Sequence, residues 1–158
     1  MSLAGGQYRG LLTMDLRVID AVWYSRTASS DDGGFTPGWW DDHGDLGMGE
    51  QVNFSVLDAD DSEVARVQLD VKSDWGSGYG VSVPAEGFVE VYKIDVREDR
   101  QRRGLGTAVL RLVKAQYPGR VFIAFSEDAD EFWRAVGWRE YAHPKEPRSR
   151  HLFVARQE

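Results

Sequence analysis

Between positions 96 and 107 the chain reads Val96-Arg97-Glu98-Asp99-Arg100-Gln101-Arg102-Arg103-Gly104-Leu105-Gly106-Thr107. An apolar stretch runs into a charged turn, and two closely spaced glycines stand where a helical pattern begins. The first backbone N–H groups of a helix have no partner inside it, and the helix dipole puts partial positive charge there. Glycine lets an anion approach such a backbone closely, so strand, glycine turn and helix together make a phosphate site. Arg97, Arg100, Arg102 and Arg103 stand beside it in a chain of net charge −7. Two better-known phosphate motifs are excluded. Val109 occupies the position of the third glycine in a dinucleotide fingerprint, and no Gly-Lys-Ser/Thr follows as in a P-loop. The plainer alternative is a helix with a glycine-assisted start and a solvated basic rim.

A second group lies in Trp39-Trp40-Asp41-Asp42-His43. Paired tryptophans beside aspartates can grip a cationic amine through cation–π and charge contacts. Equally, Trp39 and Trp40 can plug the core while Asp41 and Asp42 face water. Asp41, Asp42, His43 and Asp45 lack metal-ligand spacing and a second arm, so no metal is expected there.

These residues need elements to hold them. Residues 11–24 alternate loosely and read as a strand, whereas residues 25–50 carry too many glycines for a long helix. Residues 51–58 and 64–72 show period-two patterning around Ala59-Asp60-Asp61-Ser62, which predicts a hairpin. Residues 73–87 form another glycine-rich loop, long enough to suggest a role of its own. Residues 88–96 are apolar on both faces, as in a central strand. Leu105, Ala108, Val109, Leu112 and Val113 repeat with helical spacing up to Pro118-Gly119. Residues 121–125 read as a short strand. Asp128 with Glu131 resembles a capping box opening a helix that stops at Gly137, and residues 138–141 and 151–155 read as closing strands. The order predicts a mixed α/β sheet in a single domain over residues 1–158.

On these elements the residues resemble the GNAT N-acetyltransferase superfamily. Gln101-x-x-Gly104-x-Gly106 matches its Arg/Gln-x-x-Gly-x-Gly/Ala signature, and Ile94-x-Val96 matches the strand before it. Phe132-Trp133-Arg134-Ala135-Val136-Gly137-Trp138 resembles its Phe-Tyr-x-x-x-Gly-Phe segment. The resemblance covers about residues 88–141. It implies an acyl-CoA N-acyltransferase fold, with a central, mostly antiparallel sheet and flanking helices, the first helices here replaced by the glycine-rich loop. It implies acetyl-CoA as co-substrate, its pyrophosphate on Gln101, Arg102, Arg103, Gly104, Leu105, Gly106 and Thr107. The pantetheine arm would follow the backbone of Ile94, Asp95 and Val96, where an N–H polarises the thioester carbonyl.

The implied reaction is direct attack by a primary amine in a ternary complex, on a small cationic amine or a protein amino group. Glu90 is the candidate base: it is the only carboxylate in the first half of its strand, 11 positions before Gln101. That spacing is similar to the glutamate of histone-type members. An edge or solvated glutamate is the alternative. Two departures stand out. Trp133 replaces a tyrosine proposed to protonate the leaving thiolate, which leaves Tyr92 or Tyr141 to fill that role, and Ser126 replaces the usual asparagine. A protein lacking these helpers can instead be an idle acyl-CoA-binding sensor or regulatory module.

Composition bounds the rest. The 158 residues include no cysteine, so disulfides, thiolate metal sites and acyl-cysteine intermediates are excluded. Residues 1–95 hold 17 Asp/Glu against six Lys/Arg, while residues 96–158 hold nine against 13. Such asymmetry fits an anion held by the second part. With pI ≈ 5.0 and no basic face beyond the turn, nucleic acid is not expected as a partner. No apolar run approaches the roughly 20 residues of a membrane helix, and residues 1–10 lack a signal pattern, so no membrane contact and a cytoplasmic location are expected. Exposed aromatics leave room for a homodimer.

Overall fold

A computed structural model of the chain describes residues 16–20, 33–36, 49–101 and 104–157. Seven strands follow in sheet order β1-β2-β3-β4-β5-β7-β6. They are β1 Arg17–Asp20, β2 Gln51–Leu57, β3 Glu63–Ser73, β4 Phe88–Val96, β5 Phe122–Phe125, β6 Arg139–Tyr141 and β7 Leu152–Val154. Helix α1 spans Leu105–Ala115 between β4 and β5, and α2 spans Asp130–Ala135 between β5 and β6. β4 therefore holds the middle of the sheet, as its two-sided apolar pattern predicts. Among the described residues no helix is long and apolar enough to cross a membrane.

The chain divides into two compact units, residues 1–44, 53–67 and 94–117, and residues 45–52, 68–93 and 118–158. In the first, β1 pairs antiparallel with β2, Arg17 opposite Leu57 and Asp20 opposite Phe54. The predicted turn after β2 forms because the Asp58 carboxylate accepts the N–H groups of Asp60 at 2.9 Å and Ser62 at 3.0 Å. Val56, Val64, Val67, Val109 and Val113 are fully or almost fully buried. In the second unit β4 runs parallel to β5, with Val89 opposite Phe122, and β7 is antiparallel to both β5 and β6. Its core is Phe88, Ile123 and Leu152, with Val83, Val121 and Val154 packed around it.

Two polar side chains of β3, Arg66 and Asp70, are buried. In the first unit the Phe35 ring covers the Arg66 guanidinium at 4.2 Å. In the second, Asp70 accepts the N–H groups of Gly49 and Glu50, each at 3.0 Å. The polar groups keep partners, so their burial is tolerated.

One local expectation gives way: the capping box of α2 does not form. Asp128 adopts a positive φ of 54° and makes no cap; Ser126 Oγ instead accepts the Ala129 N–H at 3.2 Å. Gly137, at φ 83°, ends the segment as expected.

Candidate functional site

The head of α1 is bare. Gly104 precedes it at φ 71°, where a side chain is strained although a Cβ would meet only open space. Among the described residues no side chain caps the helix, and its first turn contains no acidic residue. Leu105 is buried and anchors the turn; Gly106 and Thr107 are half-buried. The Gln101 side chain donates to the Val96 carbonyl at 2.9 Å and so ties the turn to the end of β4.

The four arginines are not equivalent. Arg97 pairs with Asp99 at 2.7 Å and donates to the Glu63 carbonyl at 3.1 Å, and Arg100 pairs with Asp58 at 3.3 Å. Arg102 and Arg103 lie outside the described residues, as do Trp39, Trp40 and Asp41. Ile94, Asp95 and Val96 are half-buried at the end of β4, and the Asp95 carboxylate accepts the Thr36 N–H at 2.8 Å. Glu98 N–H donates to the Gly34 carbonyl at 3.0 Å, so residues 33–36 run beside this strand end.

Glu90 belongs to the second unit, in the buried first half of β4. Only 6% of it is exposed, and the Ser73 hydroxyl donates to its Oε1 at 2.7 Å. Burial pushes its carboxyl above the ordinary range; the Ser73 hydrogen bond opposes this, the Asp70 charge adds to it, and Arg150 opposes it. It is neither an edge nor a solvated glutamate. Glu90 opens into a pocket of 810 Å³ lined by Trp75, Tyr79, Tyr92, Phe125 and His143 among others.

The loop over residues 73–87 builds one wall of this pocket. It contains a 3₁₀ turn, Trp75–Tyr79, closed by Gly80 in the left-handed region. Gly76 lets the turn sit on β4, since a Cβ there would come within 2.8 Å of the Phe88 ring. Trp75 is 57% exposed. Tyr79 donates its hydroxyl to the Arg150 carbonyl at 2.5 Å and packs on Phe125 and His143, with centroids 5.4 and 5.0 Å away. Sequence reasoning gave this loop a role but no residues; the only signal was the aromatic pair Trp75 and Tyr79 inside a glycine-rich run.

Trp133 is a core residue, 4% exposed, with ring centroids of Phe132 at 4.9 Å and Trp138 at 4.7 Å. It takes no part in the pocket. Of the two tyrosines considered in its place, Tyr92 lines the pocket with Glu90, and Tyr141 packs against the second unit's core.

Asp130, Glu140 and His151 bring ligand-type atoms within 4.8 Å of one another. Arg134 already occupies this group, donating to Glu140 at 2.9 and 2.7 Å. That pairing first, and His151 at 2.7 Å second, hold the Glu140 carboxyl at about 2. An ion-pair network accounts for the cluster.

No protein-family model matches the chain, and no curated protein matches it in sequence. Solved structures match it in fold. An acetyltransferase from Thermus thermophilus superposes with a TM-score of 0.51 at 20% identity, over 68% of this chain and 64% of that one. The Bacillus subtilis N-acetyltransferase YlbP, solved in complex with coenzyme A, gives 0.51 at 17% identity, over 66% and 67%. A Corynebacterium glutamicum protein described as histone acetyltransferase HPA2 and related acetyltransferase gives 0.56 at 13% identity, over 89% and 95%. The match thus spans less than two thirds of the Thermus chain and nearly all of the Corynebacterium one.

Proposed function

On the GNAT-type acetyltransferase fold that the chain adopts, we propose that it transfers the acetyl group of acetyl-CoA directly to a primary amine in a ternary complex. The observation that carries this reading is Glu90, a buried carboxylate opening into a small-molecule-sized pocket on the strand that leads to the bare helix head. Acetyl-CoA supplies the activated acetyl carbon, and the chain's part is to hold, orient and move a proton. The N–H groups of Leu105, Gly106 and Thr107 take the diphosphate, helped by Arg102 and Arg103. Among the described residues neither a cap nor an acid competes for that position. The backbone of Ile94, Asp95 and Val96 guides the pantetheine arm.

An acceptor amine of pKa near 10 arrives protonated. Glu90 accepts that proton, and its raised affinity for protons makes it a stronger base than a solvated carboxylate. The nitrogen then bonds to the acetyl carbon as the carbon–sulfur bond breaks. Holding both substrates together supplies much of the acceleration. Tyr92, two residues from Glu90 on the same strand face, protonates the departing sulfur where Trp133 cannot. The other reading, an idle CoA-binding module, draws support from Trp133 being locked in the core.

Thiol release from acetyl-CoA with a panel of amines separates the two. The enzyme reading predicts amine-dependent release, lowered by roughly 100-fold in Glu90→Gln. It also predicts loss of the acid limb of the pH–rate profile in that variant. CoA binding with background release alone would leave the module. Stability checks the burial independently. A folded carboxyl above its unfolded value of 4.5 costs stability as pH rises through that window, so Glu90→Gln raises Tm at pH 8 and not at pH 4.

A further inference from the structure

We infer that the pocket beside Glu90 is built for an acceptor carrying an acidic group as well as its amine, of the class of α-amino acids with an apolar side chain. This rests on the reading of that pocket as the acceptor site. Its 810 Å³ falls within the roughly 300–1,000 Å³ of small-molecule sites. The charges in its wall are of both signs. Asp74, Glu90 and Glu146 line it together with Arg148 and Arg150. A site for a polyamine needs only the acids; two arginines in its wall would repel such a ligand.

Arg148 is the decisive residue. Arg150 is spoken for, with its guanidinium on Glu127 at 3.0 Å and over the Phe125 ring at 5.5 Å. Arg148 has no ion pair or hydrogen bond among the described residues. The nearest acid in sequence, Glu146, accepts the Ser149 hydroxyl at 3.0 Å instead. Arg148 nevertheless stands on an ordered turn. His143 Nδ1 accepts the N–H groups of Lys145 at 3.1 Å and Glu146 at 3.0 Å, and Ser149 N–H donates to the Glu146 carbonyl at 3.0 Å. Pro144 and Pro147 restrict the backbone further. The turn fixes the backbone, and the exposed Arg148 guanidinium, with no internal partner among the described residues, offers a planar fork matched to a carboxylate. With the amine at Glu90 and the carboxylate at Arg148, the exposed Trp75 face together with Phe125 and Tyr79 takes an apolar side chain.

The test uses the full chain with acetyl-CoA and two matched acceptor sets: L-phenylalanine, its carboxamide and phenethylamine, then L-leucine, its carboxamide and isopentylamine. Thiol release is expected to show kcat/KM at least tenfold higher for the acid of at least one set than for its amide and amine. Arg148→Ala is expected to raise KM for that acid about tenfold, with kcat moving far less, and to bring the acid-to-amide ratio towards one. Equal turnover of acid and amide, or a preference that survives Arg148→Ala, overturns the inference while leaving acetyl transfer standing. No release with any acceptor overturns the transfer reading instead. Calorimetry on the CoA-loaded protein then decides this point: Arg148-dependent binding of the acid supports it, and no binding of either acid overturns it.

Discussion

Among the described residues two α-helices begin, neither with a side-chain cap at its N-cap residue, and their first turns differ in charge. The head of α1 has a glycine at φ 71° before it, no side-chain cap and no acid in its first turn. The head of α2 carries Asp130 and Glu131 in its first turn and Ser126 Oγ on the Ala129 N–H just before it. Each α2 feature satisfies or complements the positive end of the helix from within the protein. Eleven residues of α1 go without any of them, although capping is cheap to encode. The difference supports the proposal that the α1 head takes an anion, whereas the acids of α2 complement the dipole of their own helix.

Exchanging these features sharpens the comparison. Thr107→Glu places at α1 the charge that α2 already carries, so the protein's own carboxylate competes with the diphosphate. CoA affinity is expected to fall by roughly tenfold while Tm holds or rises slightly, since the same carboxylate favours the helix. Calorimetry and a melting curve read the two effects separately. Gly104→Ala acts on backbone alone. The left-handed conformation costs about 1 kcal/mol for alanine, so Tm falls, and the re-aimed N–H groups weaken CoA binding as well.

Ser126→Ala is the mirror experiment at α2. Loss of the hydroxyl acceptor is expected to cost about 1 kcal/mol with CoA affinity unchanged. The smallest effect belongs to Glu140, which pairs with Arg134 of α2. Its carboxyl is held at about 2 in the fold against 4.5 unfolded, so its contribution is present above pH 4.5 and is lost as pH falls towards 2. Glu140→Gln is expected to lower Tm by roughly 3 °C at pH 7, and by progressively less below pH 4.5, on thermal scans.

The parts legible from sequence are those written as a period. The hairpin, the two-sided β4 and the helical stripe through Leu105, Val109 and Val113 all fold as read, because alternation and 3.6-residue spacing state which face is buried. What stayed unread was set by the folded chain. The burial of Arg66 and Asp70 had no signal in the sequence, because Phe35 and the Gly49-Glu50 backbone that cover them lie far along the chain. Asp128 has the composition of a cap, yet it takes a positive φ, Ala129 stands at the N-cap, and the Ser126 hydroxyl accepts the Ala129 N–H.

The candidate site divides the same way. The backbone geometry of its turn was readable because a helix head is local: Gly104, Leu105 and Thr107 are consecutive or nearly so. Glu90 could be picked by position along its strand, but its burial depends on Ser73 and the loop folded over β4. Tyr79 and Arg148 come from aperiodic loops 69 residues apart and share a pocket only in the folded chain. No spacing rule could have joined them.

Backbone amide NMR during a CoA titration tests the central claim most directly. If α1 grips the diphosphate, the N–H resonances of Leu105, Gly106 and Thr107 shift and saturate with CoA, while those of Ala129, Asp130 and Glu131 stay in place. Saturation of the protein with CoA while residues 105–107 remain unmoved would contradict the account.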